Sequence, residues 1–486
     1  MPVFNDDTLN TLFGTAAAED DSLDRFKEYF YYNSTYDSIN SDLPIRILVG
    51  HKGVGKSALL RRSQIGNSEK NQLSVWIRPN DIQELRDNSI DQSFNSIIER
   101  WKVGLTRIIA LKIISRFQKD TIKLNDYLPE DRAIKHVISF VHDYVKKLVP
   151  SLSKVDAAIV DVFEKEKKIY IYIDDIDRGW TASKPDIVAI SALLNAMRDL
   201  SSEDPRLKFR IGLRSDVYFL VRTSDESTDK IEQNVVWLTW SNHEILCIVA
   251  KRILTFFGEE RDQREISKLD QSSISRNILS KIMDPVFHGR GHWSDRPIHN
   301  VLLSLTRARP RDLIKLLHGA GRRAYKEHRE IISSMDFESS FESYSVERLQ
   351  DIVLEFKTEV PDVEKLLLAM KPTKIEKRTS MSYLFTMDQL SSKINKARNN
   401  VNVRFTNGRH VTTRVIIQFL YKIDFITARI EEGGVIKRRY FDQSRFLASE
   451  VADFGFNWEI HPAYRWALQP NDVETVIASL DTISSS

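Results

Sequence analysis

One cysteine, Cys247, occurs in 486 residues, which excludes an intrachain disulfide and a thiolate zinc site and points to a reducing cytosol. No run of 18 or more apolar residues is present, so no membrane-spanning helix is expected. The opening MPVFNDDTLN has neither a basic leader nor an apolar core, and the expectation is a cytoplasmic chain with no membrane partner. Net charge is nearly absent as well, at +3, but that value hides an asymmetry. Between Lys371 and Arg445, sixteen Lys and Arg face six Asp and Glu, so this part is basic and the remainder acidic.

What is present is ordinary for a globular protein: 42% of residues are hydrophobic and 29% charged. A chain of 486 residues exceeds what one core serves, so two or three domains are expected. Five strand-like runs, IRILVG, LSVWIRPN, KKIYIYIDD, LKFRIGLRSD and NVVWLTW, alternate with helical stretches over residues 1–240, which implies a parallel sheet clothed in helices. Residues 90–166 read as a helical insertion, with Ile97, Trp101, Leu105 and Ile109 at helical spacing. From Ser241 strands are expected to disappear, and HEILCIVAKRILTFF and RDLIKLLHGAGRRAY read as amphipathic helices of a lid over 241–335. Residues 336–486 open with two short helices, VERLQDIVLEF and VEKLLLAMK, parted by Pro361. Two further helices and a hairpin with a Gly433-Gly434 turn follow, the layout of a winged helix.

The stretch GHKGVGKSALL follows the first strand and fits a phosphate loop at Gly50, Gly55, Lys56 and Ser57, with Gly53 and Ala58 beside them. Glycines there let backbone N–H groups turn toward phosphate oxygens, and the helix that starts at the loop adds its positive end. Lys56 is placed for the β and γ phosphates of ATP, and Ser57 for Mg²⁺. A carboxylate at the tip of a neighbouring strand completes such a site, and IYIYIDDID supplies Asp174 as the metal partner and Asp175 to polarise water. Arg214 in GLRSD and Arg311 in RPRDLI are the candidates for stabilising charge on the γ-phosphate, with Arg178 a third that points to a neighbouring subunit.

The combination of GHKGVGKS, DDIDRGW, GLRSD, RPRDLI and the terminal WEIHPAYRWAL resembles the prokaryotic P-loop ATPases of the STAND and KAP-like branch, and more distantly the AAA+ origin-recognition ATPases. FGTAAAEDD and Tyr36, ahead of the first strand, resemble the lead-in of one bacterial subgroup. The fold class implied is α/β: a P-loop NTPase parallel sheet with a helical insertion, a helical lid and a C-terminal winged helix. The resemblance further implies an ATP-hydrolysing switch that forms homo-oligomers and controls an effector protein, a nuclease or toxin, in defence against phage. The pair Asp174-Asp175 stands where the AAA+ pattern has Asp-Glu, and a shorter base implies slow hydrolysis.

Other groups carry less. His288, His292, His299 and Asp295 cluster in FHGRGHWSDRPIHN, but their spacing matches no ligand pair on a helix, so capping and loop hydrogen bonds are expected. Cys247 reads as a small buried hydrophobe and His461 as a corner residue. Arg414, Lys422, Lys437, Arg438 and Arg439 are the candidate phosphate contacts on a nucleic acid. Two alternatives to the switch therefore stand: an ATP-dependent DNA-binding regulator or loader, and a nucleotide-gated scaffold that does not hydrolyse.

Overall fold

A computed structural model describes residues 3–15, 21–86, 93–117, 137–148, 154–224, 226–378, 382–432, 435–443 and 455–480. Two compact units make up the chain. The sheet unit comprises Asn33–Lys52 and Lys56–Leu238; the helical unit comprises Met1–Tyr32, Thr239–Ser486 and the three residues Gly53–Gly55.

The sheet unit is built on five parallel strands, β1 (Ile45–Gly50), β2 (Ser74–Ile77), β3 (Ile169–Ile173), β4 (Leu207–Arg214) and β5 (Val235–Trp237), in the order β2-β3-β4-β1-β5. The inner strand β3 reads as an unbroken apolar run, as expected where both faces are covered, while β1 and β4 interleave Arg46, Lys208 and Arg210 with the buried Ile47, Val49, Phe209 and Ile211. The first helix of the expected insertion, Phe94–Phe117, is no separate lobe. Its stripe Ile97, Trp101, Leu105, Ile109 and Ile113 enters the same core as the strands. Residues 90–92, 118–136 and 149–153 of the expected insertion lie outside the described residues. Parallel strands end at one edge, so Gly50, Asp174 and Arg214 share it.

The helical unit departs from expectation in three places. Strands do not vanish after Ser241: β6 (Val286–Phe287) pairs with β7 (Arg296–Pro297). VERLQDIVLEF is the second half of a longer helix, Ser334–Phe356, which begins at a capping box between Ser333 and Asp336. The expected hairpin is present as β9 (Ile426–Glu432) and β10 (Val435–Arg439), its Gly-Gly turn lying outside the described residues. It belongs, however, to a four-stranded antiparallel sheet ordered β10-β9-β11-β8, where β8 is Leu384–Phe385 and β11 is Asn457–Ile460. Ahead of the hairpin come the helices Met387–Asn400 and Thr413–Lys422. Among the described residues no helix is long and apolar enough to cross a membrane.

Two of the five cations expected on the nucleic-acid surface are interior groups. Lys422 is buried, with Nζ 2.6 Å from Oε1 of Glu359. Arg438 is buried and donates to both carboxylate oxygens of Glu459 at 2.8 and 3.1 Å. Arg429 and Arg465 converge on the same carboxylate. A charge taken out of water needs such partners, and that is why a glutamate stands in the middle of β11. Arg414, Lys437 and Arg439 remain exposed.

Burial raises the Glu459 carboxyl, but Arg438 and Arg465 outweigh it and hold the group well below the usual carboxylate range. A depressed carboxyl stabilises the fold above its unfolded value of about 4.3 and loses that contribution as pH falls. Glu459→Gln is therefore expected to cost about 3–5 kcal/mol at pH 7, measured by urea unfolding, and to flatten the loss of stability below about pH 4. A variant as stable as the parent at pH 7 would contradict this.

Candidate functional site

Between β1 and the helix Lys56–Glu69 the chain must turn sharply, and Gly53 (φ 84°) and Gly55 (φ 101°) take left-handed conformations that favour glycine. Among the described residues a Cβ on Gly55 would meet no atom within 4 Å beyond its own chain neighbours, so the backbone of the loop is open there. Lys56 folds over the loop in the sheet unit: Nζ donates to the carbonyl of Gly50 at 2.7 Å and of His51 at 3.0 Å. Ser57 and Ala58 follow in the first turn, both half-buried.

Asp174 stands at the end of β3 and is 5% exposed. Its strand is not the neighbour of β1, as the sequence suggests, because β4 lies between them. Gly212 explains how the carboxylate reaches across. A Cβ at Gly212 would lie 2.3 Å from Oδ1 of Asp174, so the side chain passes over β4 where that strand is bare. Burial pushes the Asp174 carboxyl up to about 6, against a hydrogen bond from Ser57 and the charge of Lys56, while Asp175 adds to the rise. Its Oδ2 has no hydrogen-bond partner among the described residues.

Asp175 is exposed with φ 53°, whereas the carboxylate that turns inward is Asp177. Burial raises its carboxyl, and the charges of Arg214 and Lys56 pull against that. Arg214, at the end of β4 and level with Gly50, donates to Asp216 through Nε (3.0 Å) and Nη2 (2.7 Å), with Asp177 Oδ2 3.4 Å from Nε. Lys56, Ser57, Asp174, Asp177, Arg214 and Asp216 thus form one charged cluster at the strand ends. Asp177, Asp216 and Gly212 went unassigned in the sequence. The third acid of DDID and the acid of GLRSD were the available signals for the first two; a glycine inside a strand gives none.

Arg178 is exposed, its carbonyl accepting from Arg86 Nη1 at 2.6 Å. Arg311 belongs to the helical unit and opens the helix Pro310–Lys326. There it lies against Gly53, whose Cβ would be 3.4 Å from both Cβ and Cδ of Arg311. The histidines of the 288–299 segment do not meet: exposed His288 pairs with Asp295 at 3.2 Å, and His299 is fully buried. His461 is buried and caps its own corner, accepting from the Ala463 N–H.

The residues fit a magnesium-bound nucleotide. A glycine loop leads into a helix start, a lysine rests on loop carbonyls, and a buried carboxylate with one unpartnered oxygen lies beside a serine. The strand order and this loop define the sheet unit as a P-loop NTPase fold of the α/β class.

Comparison with known proteins adds the following. The family described as the FunZ-associated C-terminal helical domain matches residues 262–353. The chain is 22% identical over 512 residues to the putative transposon gamma-delta 80.3 kDa protein of Escherichia coli (strain K12), covering 96% of this chain and 69% of that protein. It is 27% identical over 180 residues to Allergen Alt a 2 of Alternaria alternata, covering 36% of this chain and 74% of that one. Among solved structures, the Aeropyrum pernix ORC2 protein in its ADPNP-ADP complexes is similar with a TM-score of 0.41 and 10% identity, over 89% of this chain and 87% of that one.

A carboxyl raised from 3.8 to about 6 is ionised at pH 7 at a cost to the fold, a cost that disappears as pH falls from about 6 toward about 4. Asp174→Asn is therefore expected to stabilise the nucleotide-free protein at pH 7 by up to about 3 kcal/mol, with the gain gone by about pH 4. Gly212→Ala is expected to displace the same carboxylate and abolish magnesium-dependent nucleotide binding. Thermal melts across pH and calorimetric titration check the two; a destabilised Asn variant or an indifferent Ala variant would refute them.

Proposed function

We propose that the chain binds ATP with Mg²⁺ on Gly50–Ala58 and Asp174 and acts as a slowly hydrolysing switch. The single observation that carries the reading is the buried Asp174 carboxylate, half unpartnered, beside Ser57 and under the charge of Lys56. Ser57 and Asp174 are the metal's holders, and the bound cation would neutralise phosphate charge. Lys56 exchanges loop carbonyls for phosphate oxygens. Asp175, exposed and one residue on, is proposed as the group that polarises water, with Asp216 holding Arg214 in place and Arg214 and Arg311 answering to the γ-phosphate. Assembly into homo-oligomers and control of a separate effector polypeptide belong to the same proposal; a setting in phage defence rests on the resemblance alone.

A second reading, binding of nucleic acid by the C-terminal module as a winged helix, has its own observation. No Asp or Glu occurs between Asp388 and Asp424. In that interval Lys393 pairs inside with Glu376 and Lys422 with Glu359, while Lys396, Arg398, Arg404, Arg409 and Arg414 are exposed. Exposed cations without interspersed acids suit a phosphate backbone.

Lys56→Ala is expected to weaken Mg-ATP binding at least tenfold, about 1.4 kcal/mol, and to remove turnover; equal binding and turnover in the two proteins would sink the switch. For the second reading, duplex affinity is expected to fall steeply with salt. Replacing Arg404, Arg409 and Arg414 together is expected to make the log–log slope shallower by about 3. A flat salt response would leave the module as a protein-docking one.

A further inference from the structure

The segment Arg307-Ala308-Arg309-Pro310-Arg311-Asp312 lies wholly in the helical unit, and two of its three arginines face the interior. Arg307 donates to Asp312 at 2.7 and 2.9 Å and to the Tyr464 hydroxyl at 2.8 Å, and Arg348 adds a bond to Asp312 at 3.1 Å. Arg309 is buried with Nη2 2.6 Å from Oδ2 of Asp424. Asp424 is itself 1% exposed and sits in the turn between the helix Thr413–Lys422 and β9, at φ 55°. Ala308, at φ 52°, turns the chain between the two buried arginines, and Pro310 starts the helix.

Arg311 is therefore presented by a backbone pinned immediately before it. Its stem lies against Gly53, and among the described residues none holds its guanidinium in a hydrogen bond or ion pair. Trp240 grips the same loop segment, its indole N–H 2.7 Å from the Val54 carbonyl.

We infer that Asp424 is a positioning residue for Arg311, fixing through Arg309 where the helix Pro310–Lys326 begins and hence where the free guanidinium lies on the loop. This rests on the nucleotide reading above and adds the residue by which the C-terminal module acts on it. A buried ion pair moves as a unit, because separating its charges out of water is costly. A partner that shifts the turn at Asp424 then changes the preference for ATP over ADP, and by linkage the nucleotide changes the affinity for that partner by the same factor.

The test compares Mg-ATP and Mg-ADP affinities by calorimetry, together with melting temperature, in the full chain. Arg311→Ala is expected to lower the ATP:ADP preference. Asp424→Asn is expected to lower it at least about threefold with ADP affinity held within about twofold, and the double variant is expected to be no worse than Arg311→Ala alone. Because one orphaned partner can unfold the unit, Arg309→Leu with Asp424→Asn is a second probe: it leaves neither charge buried alone, keeps at φ 55° a residue that tolerates it, and is expected to melt nearer the parent than Asp424→Asn alone yet still lack the preference. A folded Asp424→Asn protein with the parental ratio, equal losses for ATP and ADP, additive effects in the double variant with Arg311→Ala, or an Arg309→Leu, Asp424→Asn protein that keeps the preference would each overturn the inference. An unchanged ratio in Arg311→Ala would instead overturn the nucleotide reading beneath it.

Discussion

The carboxylate of Asp174 crosses a strand that is not its own, and the rest of the site follows from that crossing. It is possible only because Gly212 leaves β4 bare beneath it. On the far side are Ser57, which hydrogen-bonds it, and Lys56, whose charge offsets part of its burial. An acid raised to about 6, with one carboxylate oxygen unpartnered among the described residues, is a charge incompletely satisfied. Carboxyls perturbed in that way cluster at binding and catalytic sites, and the proposed magnesium nucleotide would bring this one a cation.

Charge in this chain has two uses that a sequence does not separate. RARPRD contains three arginines; Arg307 and Arg309 bind Asp312 and Asp424 inside the helical unit, and Arg311 is left half-buried with its stem against Gly53. The basic C-terminal part behaves likewise. Arg438 and Lys422 neutralise Glu459 and Glu359, while the cations of residues 396–414 stay on the surface. The interior pairs set geometry, and the phosphate contacts proposed above fall among those left outside.

All five parallel strands were legible: burial on both faces writes an apolar run such as IYIYI, and in IRILVG and LKFRIGLR the apolar residues still alternate or run together around single cations. The phosphate loop was legible for a related reason: glycine at positive φ and Lys-Ser at a helix start are constraints on composition. Long-range partnerships were not. Nothing local to Arg438 announces Glu459, 21 residues on, and nothing local to Lys422 announces Glu359, 63 residues earlier. β11 escaped notice since its central glutamate breaks the apolar pattern. Within DDID the alternation of a strand cannot be carried past Ile173, where the strand ends; the turn exposes Asp175 and buries Asp177.

The most direct test of the account is the proton balance of nucleotide binding. Calorimetry at pH 6, in two buffers of different ionisation enthalpy and with magnesium saturating, should show release of roughly half a proton per site beyond that of the nucleotide itself, fading at pH 8. Such a release is what Asp174, half protonated near 6, must give up to meet a cation. Uptake of protons, or a release that is the same at pH 6 and pH 8, would contradict the placing of the magnesium nucleotide on this carboxylate.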